Sequence, residues 1–148
     1  MTLLRELISR NNILQSELNQ LNNDALDLNI TGISSNSKNI KEGYIFVAIK
    51  GIEFDGFKFI QEARKNGAIL IMAEEIREKN VISIKKYSSR KIYALLAASY
   101  YKNQPQQIIG VTGTNGKTSV VEFCRQIWCQ AGWKAASMGT LGTKLSDN

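Results

Sequence analysis

The residues whose types and spacing are best suited to chemistry lie in one glycine-rich segment, GTNGKTS, which runs from Gly113 to Ser119. The segment follows an apolar run, IIGVT (108–112), and precedes a stretch with the apolar spacing of a helix. Glycines let backbone N–H groups converge on an anion, and a helix N-terminus adds positive partial charge. A strand, a glycine-rich turn and a helix in this order predict a phosphate-binding loop.

Two side chains at the end of the segment complete this predicted site. Lys117 is placed to reach the β and γ phosphates of a nucleotide, and the hydroxyl of Thr118 can ligate Mg²⁺. The general pattern G-x-x-x-x-G-K-[ST] is matched imperfectly, because Val111 occupies its first glycine position and glycines stand at 110 and 113 instead. The predicted binding loop comprises Gly113, Thr114, Asn115, Gly116, Lys117, Thr118 and Ser119.

The composition describes a globular chain and excludes several kinds of site. The 148 residues are 43% hydrophobic and 22% charged, as is usual for a folded domain. The absence of histidine excludes Ser-His-Asp and Cys-His catalysis and any histidine-containing zinc site within this chain. The two cysteines, Cys124 and Cys129, form neither a C-x-x-C pair nor a disulfide framework, which is typical of a reducing compartment.

Charge and hydropathy bear on the expected partners. The net charge of +6 comes from scattered basic residues, which are more typical of a solvated surface than of a nucleic-acid interface. No apolar run approaches the roughly 18–20 residues of a membrane span. The N-terminus carries charges where a signal peptide would be apolar. We therefore expect a cytoplasmic protein with no nucleic-acid partner and no membrane segment.

Helical and strand patterns alternate upstream of the glycine-rich segment and predict an α/β fold. The run YIFVAI (44–49) has almost no polar position, as expected for a strand covered on both faces. Gly67 is expected to end a helix, and Ser88 or Ser89 to begin one. The expected strands cover 30–34, 44–49, 68–73 and 81–84, and the expected helices cover 2–10, 57–66 and 88–101, with a weaker helical face at Leu14, Leu18 and Leu21.

A polar run, KNQPQQ (102–107), contains the only proline and marks the expected domain boundary. We divide the chain into an N-terminal domain over 1–104 and a second domain over 105–148. The second domain is predicted to contain a strand at 108–112, the glycine-rich loop, a helix from about Lys117 to Ala131 and a further strand near 134–138.

Three segments resemble a known family. GVTGTNGKTS (110–119) resembles the ATP-binding loop of the Mur ligases, the ATP-dependent amino-acid ligases of peptidoglycan synthesis. The segment ITGISSNSKNIKEGYIFVAIKGIEFDGFKFIQEARKNGAILIMAEE (30–75) is similar to the UDP-binding domain of the MurE and MurF types, which folate-coupled synthetases lack. SMGTLGTKL (137–145) resembles the GT-x-G segment of the MurE type, which is therefore the best match.

The resemblance implies roles for individual residues. The family's D-S-R run corresponds to Asn36, Ser37 and Lys38, and its serine acts on the uridine diphosphate. Ser35 and Ser37 are therefore the expected contacts of a UDP-sugar. For the loop, the resemblance implies ATP and Mg²⁺ as cofactors, with Lys117 as the catalytic residue that stabilises the transferred phosphate and Thr118 as the metal ligand. Departures from the family at Ile52, Glu53 and Phe54 leave the role of those three open.

The implied activity is that of an acid–amino-acid ligase. ATP would phosphorylate the γ-carboxylate of D-glutamate in UDP-MurNAc-L-Ala-D-Glu, and the amine of meso-diaminopimelate or L-lysine would attack the acyl phosphate. Such a protein serves cell wall biogenesis, and through it cell shape and cell division. We expect a monomer whose 148 residues are an N-terminal fragment of the ligase, inactive alone, with 1–104 folding independently.

Two alternatives stay open from the sequence. One is a non-catalytic remnant that binds a nucleotide or a UDP-linked precursor. The other is a related P-loop ligase, either of the MurF type or a folate-coupled synthetase.

Overall fold

The computed structural model describes residues 2–51, 55–74 and 80–146. Within it the chain forms two compact units, Met1–Gln104 and Pro105–Asn148, here called unit 1 and unit 2. In chain order, unit 1 contains β1 (Thr2–Leu3), α1 (Leu4–Ser9), α2 (Asn12–Glu17), α3 (Asn23–Leu26), β2 (Asn29–Ile30), β3 (Gly32–Ser34), a 3-10 turn (Ser37–Asn39), β4 (Tyr44–Ala48), a second 3-10 turn (Gly56–Phe59), α4 (Ile60–Lys65), β5 (Ala68–Glu74), β6 (Ile82–Ile84) and α5 (Ser89–Tyr100).

Unit 1 is built on a parallel sheet whose strands lie in the order β3-β4-β5-β6. Successive side chains of a strand point to opposite faces, so each strand contributes to two cores. On one face Ile45 and Val47 pack with α1, α2 and α5, and on the other Phe46 and Ala48 pack with α4. All four of these β4 side chains are fully buried, which confirms the expectation that this strand is covered on both faces.

Side-chain hydrogen bonds fix the start of α5, the longest helix of unit 1. The hydroxyl of Ser88 accepts a hydrogen bond from the Lys91 amide and so caps α5. The carboxylate of Glu74, at the end of β5, accepts from both the amide (2.5 Å) and the hydroxyl (2.8 Å) of Ser89. Ile92 and Leu96 are fully buried against the sheet, as the helical spacing predicts.

Unit 2 consists of α6 (Lys117–Gln130) and an antiparallel hairpin of β7 (Ala136–Gly139) and β8 (Gly142–Leu145). In the described part of this unit only Ala135 and Ser137 are buried. Large apolar side chains on its surface include Phe123, which is 61% exposed, and Met138, which is 78% exposed.

The strand predicted at 108–112 is wrong. The structure has irregular backbone there, and Ile108 is 80% exposed. A strand is stable only when a neighbouring strand satisfies its backbone groups, and no described residue pairs with this segment. The apolar run alone carried the prediction, and it does not by itself supply a partner strand.

Several element boundaries also differ from the expected ones. The first helix begins at Leu4, because Thr2–Leu3 pairs with Asn29–Ile30, and this pairing also divides the expected strand 30–34 at Thr31. The helix expected at 57 begins with the 3-10 turn Gly56–Phe59. The hairpin partner β8 was not predicted. Gly67 (φ +102°) comes one residue after Asn66, the C-cap of α4, which is the position expected of a helix-ending glycine.

No helix in the described part of the chain is long and apolar enough to cross a membrane.

Candidate functional site

The glycine-rich loop leads directly into the N-terminus of α6. Gly116 precedes the helix with a left-handed backbone (φ +74°), and Gly113 also has a positive φ of +146°. Residues with a Cβ adopt such angles only with strain, so glycine at these two positions permits the turn. Every residue from Thr112 to Val120 is exposed.

The start of α6 presents free backbone donors. The amide of Val120 makes the first intrahelical bond, to the carbonyl of Gly116 (3.0 Å), so the amides of residues 117–119 precede the helical ladder. No side chain caps this end within the described residues. An anion there would meet N–H donors and the positive end of the helix dipole, as nucleotide phosphates require.

Lys117 lies over the loop that precedes it. Its ammonium group donates to the carbonyl of Gly113 (2.5 Å) and to that of Thr114 (3.2 Å). The positive charge of Lys117 therefore lies beside the turn that precedes the free amides of residues 117–119. The hydroxyl groups of Thr118 and Ser119 follow on the exposed first turn of the helix. The predicted loop residues 113–119 are thus brought together at one helix end.

An ionic cluster joins α6 to the hairpin. The guanidinium of Arg125 donates to both oxygens of Glu122 (2.6 Å from Nη2 to Oε1, 3.1 Å from Nε to Oε2). The hydroxyl of Ser137 on β7 donates to Glu122 at 3.2 Å, and Arg125 also donates to the carbonyl of Leu145 on β8. These bonds, above all those from Arg125, hold the pKa of Glu122 down at about 2.

A cavity of about 420 Å³ lies beside the glycine-rich loop, within unit 2. One wall comes from the start of α6, including Lys117, Thr118 and Glu122. The opposite wall comes from the hairpin and its turn, residues 137–142, together with Lys144. The space therefore adjoins the loop that the sequence assigns to phosphates, and two lysines line it.

The two serines predicted to contact a UDP-sugar lie in unit 1, after the carboxyl end of β3. In parallel sheets, ligand sites form outside this end of the strands. Ser35 is half-buried, and Ser37 begins the 3-10 turn and is only 5% exposed. The hydroxyl of Ser37 donates to a carboxylate oxygen of Glu62 on α4, at 2.5 Å.

Sequence reasoning missed the partners of these residues. Glu62 was not singled out, because its link to Ser37 spans 25 positions and depends on the packing of α4. Glu122 was missed although a signal existed, since Thr118, Glu122 and Arg125 follow the i, i+4, i+7 spacing of one helix face. Residues 52–54, whose role the sequence left open, lie outside the described residues.

The donor set for a metal is limited. The described ranges 2–51, 55–74 and 80–146 contain no group of three or more histidine, cysteine, aspartate or glutamate side chains that could hold an ion. A hydroxyl group such as that of Thr118, combined with phosphate oxygens, suits Mg²⁺ carried by a nucleotide, since Mg²⁺ binds through few protein ligands and substrate phosphates.

Comparison with known proteins gives the same family for both units. The model described as "Mur ligase family, catalytic domain" matches residues 29–102, and that described as "Mur ligase middle domain" matches 111–148. A UDP-N-acetylmuramoyl-L-alanyl-D-glutamate--2,6-diaminopimelate ligase from Brucella melitensis is 42% identical over 122 residues, 80% of this chain and 25% of that protein. The protein of the same name from Caulobacter vibrioides is 43% identical over 124 residues, 82% of this chain and 26% of that protein.

Solved structures agree on the fold. A MurF ligase from Thermotoga maritima in complex with ADP is 36% identical with a TM-score of 0.51, covering 66% of this chain and 23% of that chain. A structure of a UDP-N-acetylmuramoyl-L-alanyl-D-glutamate--2,6-diaminopimelate ligase has a TM-score of 0.69 over 90% of this chain and 28% of that chain, at 24% identity. The chain spans about a quarter of the length of the curated relatives that it matches.

Proposed function

The chain belongs to the Mur ligase family, and from this premise we propose that it binds the two nucleotide substrates of a MurE-type ligase. Unit 2 is proposed to bind MgATP, and unit 1 the uridine diphosphate end of UDP-MurNAc-L-Ala-D-Glu. The observation that carries the proposal is the identity of about 40% to ligases named for that dipeptide and 2,6-diaminopimelate.

The proposed reaction joins an amine to a carboxylate at the cost of ATP. Transfer of the γ phosphate to the D-glutamate carboxylate gives an acyl phosphate, and the amine of the incoming amino acid displaces phosphate. Diaminopimelate is the proposed amino acid, because the similar proteins are named for it. We assign this reaction to a protein of the relatives' length and, for the 148 residues, propose binding without turnover by a cytoplasmic monomer.

Within unit 2 the proposed roles follow from position. The amides at the start of α6 and the glycine-rich turn would receive the phosphates, and the ammonium group of Lys117 would move from its carbonyl partners to the phosphate being transferred. The hydroxyl of Thr118 would hold the Mg²⁺ that accompanies ATP, and Ser119 would complete the cradle. Catalysis of this kind rests on positioning and charge neutralisation.

Calorimetric titration of the full chain with MgADP and, separately, with UDP tests the proposal. Lys117→Met should weaken MgADP binding at least tenfold, because a charge-assisted bond of about 1.5–3 kcal/mol is lost. Lys134→Met is the matched control, since Lys134 is an exposed lysine of the same unit that lies outside the loop and the cavity. Equal effects of the two substitutions would contradict the role of Lys117, and a chain that binds neither nucleotide would contradict the proposed function.

A further inference from the structure

We propose that Glu62 is a positioning residue that fixes the hydroxyl of Ser37 as a hydrogen-bond acceptor, so that Ser37 receives a donor of the uridine moiety and not a phosphate oxygen. The proposal rests on the proposed function, since it concerns the site for the UDP-linked substrate. It adds a residue that the family pattern at 36–38 does not include, and it gives Ser37 a defined direction of hydrogen bonding.

The hydrogen-bonding capacity of a serine hydroxyl limits what Ser37 can offer to a ligand. A serine hydroxyl has one hydrogen to donate and two lone pairs to accept with. An ionised carboxylate only accepts, so the bond of 2.5 Å between Ser37 Oγ and Glu62 Oε2 uses the single hydrogen of Ser37. What Ser37 offers to a ligand is therefore a lone pair.

The backbone of Ser37 is held from the same side. The side-chain amide of Asn66, which follows α4, donates to the carbonyl of Ser37 at 2.9 Å, and the amide of Ile40 donates to that carbonyl at 3.2 Å. Ser37 is only 5% exposed, and few alternative rotamers are open to a buried side chain whose hydroxyl and backbone carbonyl are both hydrogen-bonded. Glu62 thus determines where the Ser37 hydroxyl points, while Asn66 holds the backbone carbonyl of Ser37.

The negative charge of Glu62 also disfavours a phosphate at Ser37. A diphosphate presents only acceptor oxygens and negative charge at neutral pH, and the Glu62 carboxylate lies within hydrogen-bond distance of Ser37. A phosphate oxygen at Ser37 would meet a hydroxyl without a free hydrogen and a nearby like charge. Uridine, in contrast, carries donors: the N3–H group of the base and the hydroxyl groups of the ribose.

The test measures binding of UDP, 3-methyl-UDP, 2′,3′-dideoxy-UDP and inorganic pyrophosphate to the full chain. Ser37→Ala should weaken UDP about fivefold, the loss of one neutral hydrogen bond, and leave pyrophosphate unchanged. If the base is the donor, the wild type should bind 3-methyl-UDP more weakly than UDP. The Ser37→Ala variant should then bind 3-methyl-UDP no more weakly than the wild type does. If the ribose is the donor, dideoxy-UDP behaves in this way instead.

Variants of Glu62 separate positioning from structural support. Glu62→Gln retains an acceptor for the Ser37 hydroxyl and should keep the wild-type preference for UDP over the blocked analogue. Glu62→Ala frees the hydroxyl and should reduce that preference about fivefold. Asn66→Ala is the matched control, because it removes a bond to the Ser37 carbonyl and leaves the hydroxyl bond in place, so the preference should persist even where the thermal midpoint falls.

The possible failures are distinguishable. A wild-type chain that does not bind UDP overturns the function proposed for unit 1 and this inference together. UDP binding that Ser37→Ala weakens by the same factor as pyrophosphate overturns the inference alone, because Ser37 would then serve the phosphates. In a third outcome, the preference for UDP over the blocked analogue falls as far in Glu62→Gln and Asn66→Ala as in Glu62→Ala. That result would assign Glu62 a purely structural role.

Discussion

Glu122 shows how one side chain can connect a helix to a hairpin through its charge. Its carboxylate accepts from Arg125, Gln126 and Ser137, and these bonds lower its pKa from an ordinary 4.5 to about 2. A group whose pKa falls on folding contributes stability above its unfolded pKa, and this contribution disappears as the pH falls through the folded pKa. The contribution of Glu122 should therefore be complete above pH 4.5 and vanish near pH 2.

Glu122→Gln tests this pH dependence. We expect the variant to unfold at lower urea concentration than the wild type near pH 7, with the difference shrinking between about pH 4.5 and 2. Both tryptophans of the chain, Trp128 and Trp133, lie in unit 2, so their fluorescence reports unfolding of this unit selectively. A difference that is independent of pH would mean that the charge of Glu122 does not stabilise the unit.

Predictability from sequence differs sharply between residues. The position of Lys117 at the start of a helix followed from a local pattern, since glycine, lysine and threonine are adjacent in the chain. The bonding of Ser37 could not be predicted, because its partner Glu62 reaches it only after the β3–β4–α4 region has packed. Local spacing therefore identifies the loop, whereas the chemistry of a hydroxyl depends on contacts between distant elements.

At the scale of elements, the junction between loop and α6 depends on backbone geometry at Gly116. Its φ of +74° strains any residue with a Cβ, although no heavy atom lies within 4 Å of where that Cβ would be. Gly116→Ala should therefore destabilise unit 2 by about 1–2 kcal/mol through backbone strain alone.

The matched control for this prediction is Gly110→Ala. Gly110 lies in the same unit, has no positive φ, and also has open space where a Cβ would lie. The urea midpoint of unfolding, measured by tryptophan fluorescence, should fall for Gly116→Ala. It should not fall for Gly110→Ala. Equal destabilisation of both variants would show that the left-handed backbone does not set the requirement for glycine at 116.

Apolar patterns predicted strands correctly where both faces found helices to cover them. β4 and β5 lie in the centre of the parallel sheet, and their continuous apolar runs fill both cores. The same kind of run at 108–112 forms no strand in the structure, because no described strand pairs with it. Apolarity thus predicts burial, whereas strand formation also requires a neighbour whose identity the local sequence does not reveal.

At the scale of the whole molecule, the two units have separate determinants of stability. Among the described residues both hydrophobic clusters are made of side chains from unit 1, and α5 contributes the fully buried Leu96 to the larger one. Unit 2 relies on α6, its hairpin and the Glu122 cluster. We therefore expect the units to unfold in two distinguishable transitions.

Leu96→Ala provides the test, because removing a buried leucine costs about 2–5 kcal/mol and the loss should fall on unit 1 alone. The midpoint measured by far-ultraviolet circular dichroism should fall, while the tryptophan fluorescence midpoint stays at its wild-type value. Arg90→Ala, on an exposed position of the same helix, serves as the control and should move neither. A fluorescence midpoint that falls together with the dichroism signal would show that the units fold cooperatively, and the expectation that 1–104 folds independently would then be wrong.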